Sequence, residues 1–275
     1  MNNEQIRKWY FALADNAKSK KYKDLAKAAV ISARKNTNLE PYLIYDGKAD
    51  EFTDWMDAHG VNVIYHQLSF LDKMKGLPVI EIGRGAYLRT DIPLIEKEDK
   101  FILYTDVDVS ILRDVGPYIS KFRPAFFACC GELDWEALEQ GKLPRPRDNW
   151  FNSGVMVMNV EAMGEEYSNF VNFCYKRKFK FTAYDQGALN NYYSNRWDYL
   201  DDKLNYRICT SYLFPNPAIV HFHGLKPFDI EAMKNCRRNN QTPNYRDVLI
   251  NMYNSDPSRY HYYLSLFKWY RYYLN

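Results

Sequence analysis

Cysteine is scarce in this chain and its pattern is uninformative for metals. The five cysteines, Cys129, Cys130, Cys174, Cys209 and Cys236, are odd in number and contain no CxxC spacing. That argues against a thiolate metal site and against a disulfide framework, and it fits reduced thiols in a cytoplasmic compartment. Long apolar runs are missing too: none approaches the ~18 residues of a membrane span. The opening Met1-Asn2-Asn3-Glu4-Gln5 is polar and unlike a signal peptide. The expectation is a cytoplasmic protein, acting where it is made or peripherally on a membrane face exposed to that compartment. Net charge is only +3, so there is no global basic field to attract nucleic acid. No repeat, low-complexity tract or interdomain linker stands out.

What remains is ample material for a core. The chain has 275 residues, 47% of them hydrophobic, enough for one large α/β domain or two small ones. Aromatics make up 17%, and 24 residues are Tyr, a side chain that packs a ring while keeping a polar tip. Charge is uneven: residues 229–275 hold seven Lys or Arg against four Asp or Glu and supply the whole positive excess.

The first 110 residues alternate strand-like and helix-like segments. Trp9–Ala14, Pro41–Tyr45, Val61–Tyr65 and Phe101–Thr105 are short apolar runs that read as strands. Lys18–Lys35 and Ala49–His59 read as helices between them, and Arg84–Leu94 as helical up to a break at Pro93. This order predicts a Rossmann-like, mostly parallel sheet flanked by helices, with the ligand beyond the carboxyl ends of the strands. Further on, Pro124–Cys130, Gly154–Asn159 and Ala218–Phe222 read as strands, 141–148 as a polar loop, and Glu161–Lys176 and Tyr184–Tyr193 as helices. The tail from Tyr245 has helical period, interrupted at Pro257.

At one of those strand ends stands Asp106-Val107-Asp108. Residues i and i+2 of an extended segment point the same way, and two carboxylates side by side suit a hard divalent cation such as Mn²⁺ or Mg²⁺. A metal there can stabilise a departing diphosphate. A pair of solvated turn carboxylates is the simpler explanation of DxD taken alone. Three further segments add weight. Trp150-Phe151-Asn152-Ser153-Gly154 reads as a polar turn feeding an apolar strand, its glycine admitting close approach to a ligand. Asp185-Gln186-Gly187 places an acid and an amide at a helix start, where Asp also serves as an ordinary cap. His221-Phe222-His223-Gly224-Leu225-Lys226-Pro227 offers imidazoles at i and i+2 and a lysine that can meet phosphate as a point charge.

Taken in order, AYLRTDIPLI, KFILYTDVDVSIL, WFNSGVMVMN, DQGALN and IVHFHGLKPF resemble the GT-A glycosyltransferases of family eight, the group of glycogenin and the lipopolysaccharide galactosyltransferases. The resemblance runs from about Ala12 to Phe228. It implies that Asp106, Asp108 and a histidine bind Mn²⁺ (or Mg²⁺), the histidine being His221 by position, with His223 an alternate ligand or an acceptor-side residue. It implies that Lys226 and the Gly224 backbone hold the diphosphate, with Val107 at the nucleotide and Arg89 touching donor or phosphate. Asn152, Asp185 and Gln186 would surround the donor sugar and its anomeric carbon. Ala12, Asp15 and Asn16 sit where the family reads uracil. The turn after Gly224 is one residue shorter than the family's.

The implied activity is metal-dependent transfer of a hexose or pentose from a UDP-sugar to a hydroxyl of a glycan, lipopolysaccharide or glycolipid, with retention. An inverting route would need a carboxylate base facing the acceptor, for which Glu132 and Asp134 are the candidates. A catalytically silent nucleotide-sugar-binding protein is the main alternative. A haloacid dehalogenase-type phosphatase also carries DxD after an apolar strand, but nearer the N-terminus and with no role for HxHGxKP. The expected organisation is a GT-A catalytic domain over 1–228 and a helical tail over 229–275. The tail's interleaved aromatics and basic residues suit either packing on the domain or an anionic membrane surface.

Overall fold

A computed structural model describes residues 5–16, 19–77, 80–142, 144–210, 216–236 and 245–273. Lys18, expected to open the first helix, and Leu143 of the polar loop lie outside them. The strands among these residues are β1 (Lys8–Ala14), β2 (Glu40–Asp46), β3 (Asn62–Tyr65), β4 (Phe101–Thr105), β5 (Val109–Ile111), β6 (Phe127–Leu133), β7 (Pro146–Asn159), β8 (Asp198–Tyr199), β9 (Tyr206–Arg207) and β10 (Ile219–His221). A seven-stranded sheet runs β3-β2-β1-β4-β7-β6-β8. Its pairs are parallel except where β7 meets β4 and β6.

Strand periodicity sorts the core onto the two faces of this sheet. Trp9, Phe11 and Leu13 point to one face, where Ala26, Ala29 and Val30 of the helix Ser19–Asn36 and Phe52 and Met56 of the helix Glu51–Ala58 cover them. Tyr10 and Ala14 point to the other, against Leu88, Ile92, Met163 and Phe170. Strands covered on both faces read as nearly continuous apolar runs, which is why β1 and β4 were legible. The helix Glu51–Ala58 is fixed at its start by a capping box between Asp50 and Thr53.

The structure corrects three local expectations. Pro93 does not end the helical stretch. The helix Ile80–Tyr87 passes into a 3₁₀ turn, Leu88–Asp91, and a new short helix Ile92–Ile95 takes Pro93 in its first turn, where a missing N–H costs nothing. The segment before Gly154 is not a turn. β7 is 14 residues long and takes in the end of the polar loop, residues 146–148. Cys129 faces Met156 while the next residue, Cys130, faces Asn152, so residues 153–155 bulge out of the β6 ladder. The strand expected from Pro124 begins at Phe127, because the Pro124 and Ala125 carbonyls are taken by the Asn159 side chain.

A second sheet, β5-β10-β9, lies beside the first. β10 pairs antiparallel with β5 and parallel with β9, setting His221 opposite both Val109 and Arg207. Its outer surface joins Leu25, Ala28 and Ile31 to Tyr260, Tyr263, Leu264, Phe267 and Tyr270 of the helix Pro257–Tyr272 in a third core. Pro257 opens that helix, with Asp256 accepting from Arg259 N as its cap. No helix among the described residues is long and apolar enough to cross a membrane.

Candidate functional site

β4 delivers the two aspartates. Asp106 N donates to Gly154 O at 2.8 Å, so the β7 bulge holds the first carboxylate at the end of the sheet. Phe222 N donates to Asp108 O at 2.9 Å, so β10 holds the second. Between them comes His221, whose Nε2 lies 3.3 Å from Asp108 Oδ1 and 3.9 Å from Asp106 Oδ2. Donor atoms of all three residues fall within 4.8 Å of one another. Two carboxylates and an imidazole nitrogen turned toward one point are a donor set that fits Mn²⁺ or Mg²⁺, the imidazole favouring Mn²⁺.

Two cations flank this cluster. Lys226 Nζ contacts Asp108 Oδ2 and donates to Phe222 O at 3.0 Å. Burial alone would raise the Asp108 carboxyl, but the Lys226 ammonium beside it holds it far below the usual carboxylate range. Arg89, buried on the 3₁₀ turn, donates through Nη2 to Asp106 Oδ1 at 2.7 Å and through Nη1 to Ser153 O, and its Nε sits 2.9 Å from Asp185 Oδ2. Its guanidinium also lies over the Tyr104 ring, 4.6 Å from the centroid. Asp185 opens the helix Tyr184–Tyr192 after Ala183 and Tyr184 adopt φ of 57° and 53°, left-handed values that strain non-glycine residues. Burial pushes the Asp185 carboxyl up to about 6, with Arg89 pulling against it.

The remaining expected catalytic residues form one buried amide network. Asn152 Nδ2 donates to Glu132 Oε2 at 2.9 Å and to Gln186 Oε1 at 3.1 Å. Gln186 Nε2 donates to the same Glu132 oxygen at 2.7 Å, and Ser153 N donates to Gln186 Oε1 at 3.1 Å. Sequence reasoning missed Asn205, which is fully buried. Its Nδ2 donates to Asn152 Oδ1 at 2.8 Å and its Oδ1 lies 2.9 Å from His221 Nδ1. Nothing in the polar run DDKLNY marks it; only the pairing of β9 with β10 brings it here. Gly154 allows a close approach, but to the His221 ring rather than to a ligand: a β carbon would come within 2.3 Å of His221 Cε1.

His223 lies outside the carboxylate cluster. Its ring packs on Trp135 at 5.1 Å, and its Nε2 stands 3.7 Å from Glu132 Oε2. Gly224 has φ +80°, and a β carbon there would meet the Met252 side chain at 2.7 Å, so the helix Tyr245–Ser255 braces the turn that carries Lys226. Val107 turns its side chain into the core, leaving only its backbone for a ligand. Ala12, Asp15 and Asn16 stand at the carboxyl end of β1. Asp15 N donates to Asp46 O at 2.9 Å, and Asp15 pairs with Lys23 at 3.3 Å. Asn16 lines a cavity of about 120 Å³ with Leu71, Ile80 and Arg84, the last held by both carboxylate oxygens of Asp46.

The sequence model of glycosyl transferase family 8 matches residues 17–231. Glycosyltransferase GlyB of Streptococcus pneumoniae serotype 4 is 26% identical over 225 residues, 71% of this chain and 52% of the relative. The chain therefore spans about half the length of that curated relative. Among solved structures, galactosyltransferase LgtC in complex with donor and acceptor sugar analogs matches with a TM-score of 0.61 at 17% identity, covering 90% of this chain and 95% of that one. GlyE from Streptococcus pneumoniae matches at 0.59 and 17% identity, covering 91% and 63%. Mouse xyloside xylosyltransferase 1 matches at 0.57 and 15% identity, covering 78% and 97%. At such identities the likeness to solved structures speaks for the fold, which is GT-A.

Proposed function

Since the chain belongs to glycosyl transferase family 8 and is a glycosyltransferase, we propose that it moves a hexose or pentose from a UDP-sugar to a hydroxyl of a glycan, lipopolysaccharide or glycolipid, with Mn²⁺ or Mg²⁺ and with retention. The observation that carries this reading is the convergence of Asp106, Asp108 and His221 between Lys226 and Arg89. When bound, a divalent ion there supplies positive charge opposite the departing diphosphate. Lys226 adds a second charge at the same end, where preorganised electrostatics contribute most to such chemistry. Arg89 keeps Asp106 and Asp185 in place around one guanidinium. Asn152, Gln186 and Asp185 orient the donor sugar, and positioning of the acceptor beside Glu132, His223 and Trp135 supplies proximity. Ala12, Asp15 and Asn16 line the base end, and Val107 and Gly224 offer backbone to the nucleotide.

Retention is supported by the state of the two carboxylates an inverting route would use. Glu132 accepts from Asn152, Gln186 and Leu133 N, and although burial opposes it, the Arg207 charge and these donors keep its carboxyl below the usual range, which makes it a poor base. Asp134 is occupied as the cap of the helix Trp135–Glu139 and as the partner of Arg147 at 2.7 Å.

In this reading residues 1–228 are the catalytic unit and 229–275 an extension, a boundary supported by the family match ending at residue 231. Trp269, Tyr272 and Tyr273 are exposed at the end of the tail helix, with Lys35 of the helix Ser19–Asn36 over the Trp269 and Tyr273 rings, and suit peripheral contact with an anionic membrane. Liposome sedimentation of the wild type and a Trp269→Ala/Tyr272→Ala/Tyr273→Ala variant tests that contact, and equal binding removes it. The central test is a thermal-shift screen of nucleotide-sugars with and without Mn²⁺. UDP-sugars are expected to stabilise the protein only with metal, and absence of that effect overturns the reading. Hydrolysis of the donor without acceptor separates an enzyme from a silent binder.

A further inference from the structure

The buried amide network has a definite polarity. Gly154 N donates to Asn152 Oδ1 at 3.0 Å, and Asn152 Nδ2 donates to a Glu132 carboxylate oxygen at 2.9 Å. Both ends are unambiguous, because a backbone N–H only donates and an ionised carboxylate only accepts. Asn152 Oδ1 is therefore an acceptor, and the Asn205 atom 2.8 Å away must be its amide nitrogen. That turns the Asn205 oxygen toward His221 Nδ1, 2.9 Å away. An amide oxygen there accepts only if Nδ1 carries the proton, so in the neutral ring Nε2 is the bare nitrogen. Nε2 is also the atom that faces Asp108 and Asp106. A lone pair aimed at two carboxylates is repulsive unless positive charge, a metal ion or a second ring proton, lies between them.

We infer that Asn205 is a positioning residue, which holds His221 in the Nδ1–H tautomer with Nε2 free for the ion at Asp106 and Asp108, and which ties that ligand to Asn152 at the sugar end of the site. The inference rests on the metal reading given above. It assigns a task to a residue that touches neither phosphate nor sugar. Outer-shell partners of this kind set ring orientation and ligand basicity. The complete burial of Asn205 leaves no water to take over its hydrogen bonds.

Two measurements on the full chain test this. The first is a two-bond ¹H–¹⁵N correlation spectrum of the histidine rings without metal, with His221 assigned by the signal lost in His221→Gln. The wild type is expected to show the Nδ1–H pattern, and Asn205→Leu to lose it. An Nε2–H pattern in the wild type overturns the inference, and this needs no folded variant. The second is Mn²⁺ affinity from the electron paramagnetic resonance signal of free Mn²⁺. Asn205→Leu is expected to bind about 10- to 100-fold more weakly. Equal affinity, or an unchanged tautomer in the variant, overturns the role of Asn205 and leaves the metal reading standing. Failure of the wild type to bind Mn²⁺ removes the metal reading itself, and this inference with it.

Discussion

The His221 ring rests against the bare α carbon of Gly154: a β carbon would sit 2.3 Å from His221 Cε1 and 2.8 Å from Nδ1. The β7 bulge and the end of β10 are thus locked face to face, and the position of the imidazole depends on one missing side chain. Gly154→Ala must displace the ring, breaking its bond to Asn205. We expect a stability loss of about 1–3 kcal/mol, the usual cost of overpacking, and loss of Mn²⁺-dependent stabilisation. Thermal unfolding with UDP, with and without Mn²⁺, checks this. A variant that still responds to Mn²⁺ like the wild type would show that the ring need not lie there.

Asp185 is a candidate catalytic residue that the fold holds at a cost. Its carboxyl is raised from 3.8 to about 6, so the folded state binds the proton more tightly than the unfolded state. Its contribution to stability is therefore fully present below about pH 4 and is lost as pH rises through about 6. The shift corresponds to at most about 3 kcal/mol. Asp185→Asn in metal-free protein should gain about 1–3 kcal/mol near pH 8, with the gain vanishing toward pH 4, while transferase activity falls. Urea unfolding at the two pH values decides. A variant less stable than the wild type at the higher pH would mean that the ion pair with Arg89 outweighs the burial of the charge.

What was legible in the sequence was what chain neighbours encode. Asp106 and Asp108 follow an apolar run, Lys226 and His221 share one strand end, and β1 and β4 are buried on both faces. What was not legible depends on pairing over long distances. Asn205 meets His221 because a two-residue β9 runs beside β10, too short a strand to leave a periodic signal. β7 begins with exposed and half-exposed polar residues, Pro146–Asn149, which look like a loop until β6 pairs with them. His221 and His223 are equivalent by spacing. They separate because β10 ends at His221, after which the chain carries His223 toward Glu132 and Trp135.

The start of β1 is anchored by a buried carboxylate whose contribution depends on pH. Glu96 accepts from Lys8 at 3.0 Å, Tyr10 at 2.7 Å, Glu98 N at 2.6 Å and Asp99 N at 3.0 Å. Burial would raise its carboxyl, but these donors together lower it from 4.5 to about 2. A depressed folded value stabilises above the unfolded one, so the contribution is complete above about pH 5 and is lost as pH falls toward 2. Glu96→Gln should cost about 2–3 kcal/mol at neutral pH. The difference from wild type should shrink as pH falls below about 4. Denaturant unfolding across that range measures it. A cost that does not change with pH would assign the effect to shape rather than charge.

The tail helices do more than extend the chain. Tyr260, Tyr263, Leu264, Phe267 and Tyr270 cover Leu25, Ala28 and Ile31, and Met252 sits over Gly224. Burying large side chains of this kind stabilises by about 1.5–3 kcal/mol each, so losing five at once removes about as much as the ~5–15 kcal/mol that holds a typical domain together. A chain ending at residue 228 is therefore expected to be insoluble or to unfold without a cooperative transition. The milder Phe267→Ala should lose about 3–5 kcal/mol and keep its Mn²⁺ response at low temperature. The reason is that Gly224 is braced by the neighbouring helix Tyr245–Ser255, through Met252. Circular dichroism melts of both forms test this. A stable, cooperatively folding 1–228 fragment would show that the catalytic unit needs no cover from the tail.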